Sequence, residues 1–188
     1  YELEHKNKNF SFDKTLKILD LSNMIYIDMI KNIQFKDISN YKKSKYMFKE
    51  ISEEFEEVNN LLVKEKTLMA ICLLRNVFEE IMYIIASTIE EVDINVKTKA
   101  NYFYTMVANH CDELLYSYSS EDIKELYSYM SKVTHVTNVK EAVSYLVGNK
   151  KVKKYINNEI KFIMLKVENI YLEFINKKLK TDNSMCNN

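Results

Sequence analysis

Arg75 is the residue whose type and surroundings most directly indicate chemistry in this sequence. It is the only arginine among 27 basic residues, and Glu79, four positions later, lies on the same face of a helix. A guanidinium makes several directed hydrogen bonds and keeps its charge when it is partly buried. Arg75 therefore either forms an ion pair that fixes helix register, or lies in a polar cleft near His135 and holds a phosphate or orients a catalytic group.

His135 is the second candidate, and it follows Thr134 and precedes Val136 and Thr137 in a hydroxyl-rich segment. Histidine titrates near neutral pH, and Lys132 lies about one helical turn earlier, so His135 is suited to act as a general acid or base on an RNA 2′-hydroxyl. Asn138 would line the same cleft. The alternative is a histidine that caps carbonyls at a helix end or packs there, and both interpretations stay open.

Other site chemistries find little support in the residue spacing. Di-iron bundles need Glu-x-x-His on two helices, and that spacing occurs only at Glu2 and His5. His110 and Cys111 are adjacent but lack the spacing of zinc ligands. A single glycine, Gly148, excludes the glycine-rich loops that bind nucleotide phosphates. We therefore predict no metal and no cofactor.

Charge is segregated along the chain, although the formal net charge is zero. Residues 49–93 contain 4 basic and 11 acidic side chains, and residues 132–180 contain 11 basic and 4 acidic ones. Two interpretations remain open: an acidic second helix that packs beside a basic last helix, or a phosphate-binding strip on the last helix. The strip would consist of Lys150, Lys151, Lys153, Lys154 and Lys161.

The 14 tyrosines also allow two interpretations. Six of them, between the acidic and basic parts, are Tyr102, Tyr104, Tyr116, Tyr118, Tyr127 and Tyr129. Exposed aromatic faces stack nucleic-acid bases with about 1 to 3 kcal/mol each. At helical spacing, however, most tyrosines are core or boundary residues whose hydroxyls reach water, and we favour this second interpretation.

Composition indicates the fold that positions these residues. The chain has no proline and one glycine, whereas average usage would give about 9 and 13, and sheets need such residues at their turns. We predict an all-α bundle of about five to seven helices in a single domain, residues 1–188. Three widely spaced cysteines and no signal-peptide pattern favour the cytoplasm. The apolar stretch of residues 68–87 carries internal charges, so it is a core helix and not a membrane span.

Apolar periodicity places the helices. The first predicted helix is capped by Ser11 or Asp13 and extends to Ile33, the second runs from Tyr41 to Leu62, and the central third runs from about Lys64 to Ser87. A fourth helix passes through Tyr102 and His110 toward Leu115, and a fifth begins at a Ser119–Asp122 capping box. A short helix is predicted at residues 139–147, and the last runs from Lys151 to Leu179. Residues 1–10 and 181–188 are predicted to be loose.

Two segments resemble the HEPN superfamily, particularly its bacterial members with an LRxxxE helix and a later LSxxxH segment. They are Leu73-Leu-Arg75-Asn-Val-Phe-Glu79 and Leu126-Tyr-Ser-Tyr-Met-Ser131-Lys-Val-Thr-His135. The similarity implies a helical bundle, often dimeric, of toxin–antitoxin, abortive-infection or CRISPR-associated systems. Active members of the superfamily cleave RNA without a metal and carry Arg-x-x-x-x-His. Met130 stands at that arginine position here, so Arg75 or Lys132 would have to supply the cation.

The sequence thus supports two main functional hypotheses. In the first, a HEPN-like domain engages RNA or a cognate protein through a cleft that contains His135, Lys132, Asn138, Arg75 and Glu79, with the lysine strip as a further contact. In the second, the chain is a non-catalytic dimerisation or adaptor module without a nucleic-acid role, and the third helix and its neighbours receive a second copy or a partner. A small-ligand pocket inside the bundle is a third hypothesis. We predict no role for a membrane.

Overall fold

A computed structural model describes residues 17–30, 44–86, 88–89, 101–134 and 150–185, and these residues form seven helices and no strand. The helices are α1 (17–30), α2 (Ser44–Val63), α3 (Thr67–Ala86), α4 (Asn101–Asn109), α5 (Cys111–Leu114), α6 (Ser120–Thr134) and α7 (Lys150–Met185). The prediction of an all-α bundle is confirmed, and so is the predicted number of helices.

Three helix boundaries differ from the prediction. α3 begins at Thr67 and not at about Lys64, because residues 64–66 form the turn after α2. The predicted fourth helix is interrupted at His110, where backbone angles of φ −114° and ψ 19° separate α4 from α5. The last helix continues to Met185 and does not end near Leu179, because the polar residues of the tail are compatible with helix and no glycine or proline stops it. The predicted Ser11 or Asp13 cap, the loose residues 1–10 and the predicted helix at 139–147 lie outside the described residues.

α3 occupies the centre of the bundle, as predicted, because its apolar residues surround more than half of the helix. It contacts α2, α4, α6 and α7. Its buried apolar residues are Ala70, Ile71, Leu74, Val77, Phe78, Ile81, Met82, Ile84, Ile85 and Ala86, and Leu73 packs against the core while partly buried. Among the described helices, none has the length and apolarity needed to cross a bilayer.

The turn between α2 and α3 ends α2 with a Schellman motif. The Lys66 amide donates to the Leu61 carbonyl at 2.8 Å, and the Glu65 amide donates to the Leu62 carbonyl at 3.0 Å. Glu65 adopts a φ of 56°, a left-handed conformation that costs a non-glycine residue about 1 to 2 kcal/mol. The tight turn brings α3 back along α2.

Asn157 joins α7 to this turn. The Thr67 hydroxyl at the start of α3 donates to Asn157 Oδ1, and Asn157 Nδ2 donates to the Leu62 carbonyl at 3.4 Å. Both Thr67 and Asn157 are buried, where an unpaired polar group would cost about 1 to 3 kcal/mol. These bonds therefore fix the register of α7 against the α2–α3 turn.

Asp20 and Asn23 hold α1 on α7. Lys161 of α7 pairs with Asp20, and Asn23 Nδ2 donates to the Lys161 carbonyl at 3.5 Å. Ile27 and Ile30, on the same side of α1, are buried in the core. α1 therefore has one face committed to the bundle.

Ser119 and Asp122 form the predicted capping box at the start of α6. The Ser119 amide donates to Asp122 Oδ2 at 2.9 Å, and the Asp122 amide donates to Ser119 Oγ at 3.3 Å. The hydrogen bonds from Ser119 lower the pKa of Asp122. The reciprocal pair satisfies amides that a helix start leaves without partners, so α6 begins at a defined residue.

Glu168 is a carboxyl group in the apolar core. It is fully buried on α7, and neither carboxyl oxygen has a hydrogen-bond partner among the described residues. Burial raises the pKa of Glu168 to about 9, because a charged carboxylate loses its hydration there. The folded state therefore holds a neutral acid at pH 7.

Replacing Glu168 by Gln should remove a pH dependence of stability. Because the folded-state pKa exceeds the ordinary value of 4.5, the folded state binds the extra proton, and the free energy of unfolding falls as pH rises toward 9. The slope from this one group is at most about 1.4 kcal/mol per pH unit. Urea denaturation between about pH 5 and 9 measures it. Glu159→Gln, on the same helix but partly exposed, is the control, and equal slopes for wild type and Glu168→Gln would contradict the assignment.

Candidate functional site

The Arg75 cluster, formed by Arg75, Glu79, Tyr104, Tyr127 and Thr134, joins α3 to α4 and α6. Arg75 Nε donates to Glu79 Oε1 at 2.9 Å, and Nη1 donates to Thr134 Oγ1 at 2.8 Å. The guanidinium carbon lies 5.9 Å from the ring centroid of Tyr127, within cation–π distance. The Arg75 side chain is 16% exposed, so the cluster lies at the edge of the core.

Thr134 is the last residue of α6, and its hydroxyl accepts from Arg75 while it donates to the Met130 carbonyl at 2.9 Å. One hydroxyl thus connects the guanidinium on α3 to the final turn of α6. The next residue in the chain is His135, which lies outside the described residues. Arg75 therefore holds Thr134 in place, and Thr134 directly precedes His135 in the sequence.

Tyr104 and Tyr127 stack with ring centroids 4.1 Å apart and ring planes 19° apart. Both are half-buried against the core, as are Tyr118 and Tyr129. Tyr102 and Tyr116 are exposed. The interpretation of these tyrosines as mainly core and boundary residues therefore holds for four of the six.

The contacts of Arg75 are those of the ion pair that fixes helix register. Two of its nitrogens are engaged by protein oxygens, one on its own helix and one on α6. Charge-assisted hydrogen bonds of this kind are among the stronger polar contacts in proteins. The structure brings Arg75 and Glu79 together, as the sequence suggested. The contact with Thr134 was not predicted, because no local sequence pattern relates positions 59 residues apart.

Met130 occupies the position that the resemblance noted above would give to an arginine, and its side chain is fully buried. It packs in the core with Ile123 and Leu126, the other predicted apolar positions of α6. A guanidinium at this position would lose its hydration inside an apolar core. The face of α6 that carries Met130 therefore packs against the core.

The predicted binding lysines lie in two places. Lys132 lies in the last turn of α6, and Lys150, Lys151, Lys153 and Lys154 lie in the first turns of α7; the side chains of all five are outside the described residues, as is Asn138. Lys161, by contrast, is described, and it pairs with Asp20 of α1. This ion pair holds two helices together, and the assignment of Lys161 to a phosphate-binding strip stays a prediction.

The start of α7 and the α2–α3 turn lie at one end of the bundle. Asn157 bonds to Thr67 and to the Leu62 carbonyl, and Lys153 and Lys154 precede Asn157 by one helical turn, about 5 Å. The turn contributes exposed Lys64 and Lys66, which sequence reasoning missed because only the fold relates them to α7. We call this the basic end, composed of Lys64, Lys66, Lys150, Lys151, Lys153 and Lys154.

Cys111 and His110, considered above as metal ligands, have structural partners. The Cys111 thiol donates to the Tyr118 carbonyl at 3.2 Å, and His110 Nδ1 donates to the Met106 carbonyl at 3.0 Å. Burial, followed by the charge of Asp112, raises the pKa of Cys111 to about 11, so the thiol stays protonated. Within the described residues, no three histidine, cysteine or acidic side chains are grouped to bind a metal.

Glu173 and Lys177 of α7 hold the segment between α5 and α6. Glu173 Oε2 accepts from the amides of Tyr116 and Ser117, both at 3.0 Å. Lys177 Nζ donates to the Leu115 carbonyl at 3.2 Å. The amides of Tyr116 and Ser117 lie between two helices, and Glu173 supplies the acceptor that they need, which orients the start of α6.

Three glutamates lie close together across α2 and α3: Glu50, Glu54 and Glu80. Burial, and then the charges of Glu80 and Glu50, raise the pKa of Glu54 to about 7. Burial also raises the pKa of Glu80, with a further contribution from Glu50. At pH 7 the carboxyl group of Glu54 is therefore about half protonated.

A double-mutant cycle tests the bond between Arg75 and Thr134. Arg75→Met and Thr134→Val should each lower the free energy of unfolding by about 1 to 2 kcal/mol. The double variant should lose about 1 kcal/mol less than the sum, because both changes remove one shared contact. Denaturant titration measures the four stabilities. Thr88→Val is the control partner and should be additive, because Thr88 lies beyond the end of α3 at Ala86, which is about 16 Å along the helix from Arg75. Additivity between Arg75 and Thr134 would contradict the coupling.

The chain matches no family model, no characterised protein and no solved structure. A functional assignment therefore depends on the geometry of the Arg75 cluster and the basic end.

Proposed function

We propose that this chain is a HEPN-like helical domain that binds RNA at the basic end, as part of a cytoplasmic bacterial conflict system of the antiviral or toxin–antitoxin kind. The observation that carries the proposal is the bonding of Asn157 to Thr67 and to the Leu62 carbonyl. That bonding sets the lysine-rich start of α7 beside the lysines of the α2–α3 turn.

Convergence of lysines from different elements favours a polyanion as the ligand. Lys64 and Lys66 are exposed, and their turn also contains Glu65, so the turn alone has a net charge of only +1. The four lysines at the start of α7 raise the local charge well beyond that. Clustered lysines attract phosphates and release the counterions around them, which is a sequence-independent source of affinity.

The Arg75 cluster has a positioning role in this proposal. Arg75 lies eight residues after Thr67, about 12 Å along α3 from the basic end, and its bond to Thr134 anchors the chain just before His135. We extend the proposed RNA contact to His135 and Asn138, which follow Thr134 in the sequence. Met130 is buried and apolar, and the guanidinium of Arg75 is engaged by Glu79 and Thr134, so Lys132 would have to supply the cation for cleavage, and we favour binding over catalysis.

RNA binding should weaken when the charge of the basic end is reversed. Lys66→Glu should lower the affinity for a single-stranded RNA about tenfold, because it removes one phosphate contact and adds a repulsive charge. The slope of log affinity against log salt should become shallower by about 0.7 or more. Fluorescence anisotropy across a salt series measures both quantities.

Lys124→Glu is the matched control, because Lys124 is an exposed lysine on α6 about 15 Å along that helix from Thr134. It should leave the RNA affinity nearly unchanged. No measurable RNA affinity in the wild type at low salt, or equal losses in both variants, would contradict the proposed surface.

Total RNA incubated with the chain and a chelator should stay intact, and the same should hold for His135→Ala. The reason is that Met130 fills the arginine position of the nuclease motif with a buried apolar side chain. Gel electrophoresis of the RNA checks this result. Cleavage by the wild type that disappears in His135→Ala would instead establish a metal-independent ribonuclease with His135 as its acid or base.

The alternative is a dimerisation or adaptor module without a nucleic-acid role. One observation favours it: α1 leaves apolar side chains exposed on the side away from the bundle. An apolar interface would be nearly insensitive to salt, whereas RNA binding would weaken steeply as salt rises. The central helix α3 is largely enclosed by its neighbours and offers little apolar surface to a partner.

A further inference from the structure

Apolar side chains are exposed at the same end of the bundle as the lysines of the α2–α3 turn. Val63, the last residue of α2, is 70% exposed, and Leu68 and Met69, in the first turn of α3, are 37% and 57% exposed. We call these three residues the apolar tip. Of the seven residues 63–69, only Thr67 is buried. Apolar surface concentrated in this way on a folded domain is a mark of an interaction site.

The backbone that carries the apolar tip is held on both sides of the turn. The Lys66 amide donates to the Leu61 carbonyl at 2.8 Å, and the Ala70 amide donates to the Lys66 carbonyl at 3.0 Å. The buried bond between Thr67 and Asn157 fixes the start of α3 against α7. The exposed side chains are therefore presented on an ordered backbone, which lowers the entropy cost of binding a ligand.

Two exposed lysines lie between the residues of the apolar tip. Lys64 and Lys66 follow Val63 and precede the first turn of α3, and the lysine-rich start of α7 lies beside the same turn. Met69 is on the side of α3 opposite Thr67, because two residues rotate a helix by about 200°. A polyanion that crosses this end of the bundle from α7 would therefore pass the lysines and then reach the apolar tip.

Duplex and single-stranded RNA offer different groups to such a surface. In a duplex the bases are paired and stacked, so that mainly phosphates and 2′-hydroxyls face a protein. In a single strand the bases can leave their stack and lie against apolar side chains. Lysines alone favour the duplex, whose phosphates are more closely spaced, so a preference for single strands requires contacts with bases.

We propose that the apolar tip contacts unpaired bases of an RNA whose phosphates are bound by the basic end, so that the chain prefers single-stranded RNA to a duplex of the same sequence. This inference rests on the proposed function, because it assigns the base contacts of an RNA held there. Every base has a flat face that an apolar side chain can cover, so the apolar tip distinguishes unpaired from paired bases and is tolerant of sequence.

Met69→Ser tests the base contact, with Met24→Ser as its matched control. Both methionines are 57% exposed, but Met24 lies on α1, which contributes nothing to the basic end. Fluorescence anisotropy should show that the wild type binds a labelled single strand at least about fivefold more tightly than its duplex. Met69→Ser should lower the affinity for the single strand about fivefold, because it removes part of a buried apolar contact, and should leave the duplex affinity unchanged. Met24→Ser should leave both affinities unchanged.

Salt dependence separates a base contact from a phosphate contact. Met69→Ser removes no phosphate contact, so the slope of log affinity against log salt should stay at its wild-type value, whereas Lys66→Glu should make it shallower. A 2-aminopurine base in the single strand should become brighter on binding to the wild type, since it leaves its stack, and should brighten less with Met69→Ser. Circular dichroism confirms that both serine variants remain helical.

The inference fails if the wild type binds the duplex as tightly as the single strand, if Met69→Ser loses no more affinity than Met24→Ser, or if its loss comes with a changed salt slope. Any of these results together with RNA binding that depends on Lys66 would leave the proposed function standing. Absence of RNA binding by the wild type at low salt would overturn both proposals.

Discussion

The apolar surface of α3 is the constraint on which the arrangement of the other helices depends. Its buried residues extend around the helix, so one neighbour could not remove them from water. α2, α4, α6 and α7 all contact it. Because this helix is largely enclosed, most of the surface that meets solvent belongs to the other helices, and the basic end is formed by the start of α7 and the α2–α3 turn.

Polar side chains set the register of helices that apolar packing brings together. Apolar contacts have no preferred direction, whereas a hydrogen bond requires a defined distance and angle. Asn157 fixes the position of α7 along the α2–α3 turn, and Arg75 fixes the end of α6 along α3. A few directed bonds thus determine which parts of the chain share an end of the bundle.

Sequence periodicity predicted the helices and most of the core, because the period of 3.6 residues records which side of a helix is buried. The second helix, predicted from Tyr41 to Leu62, buries Ile51, Phe55 and Val58 at this period. The spacing of Ser119 and Asp122 predicted the cap, because a capping box involves only residues close in sequence. Hydrogen-bond partners that are distant in sequence produce no periodic pattern from which they could be predicted. Thr67 and Asn157 are 90 residues apart, Lys161 resembled any lysine of a basic helix, and Glu168 resembled any surface glutamate until its burial was known.

The hydrogen bonds that Glu173 accepts affect the order in which the chain folds during its synthesis. Glu173 holds the amide of Ser117, 56 residues earlier, and the same helix supplies a large share of the core. A ribosome releases α7 after the other six helices described above. Until then one side of α3 is uncovered and the segment between α5 and α6 lacks its hydrogen-bond partners, so this bundle closes only after α7 has been synthesised.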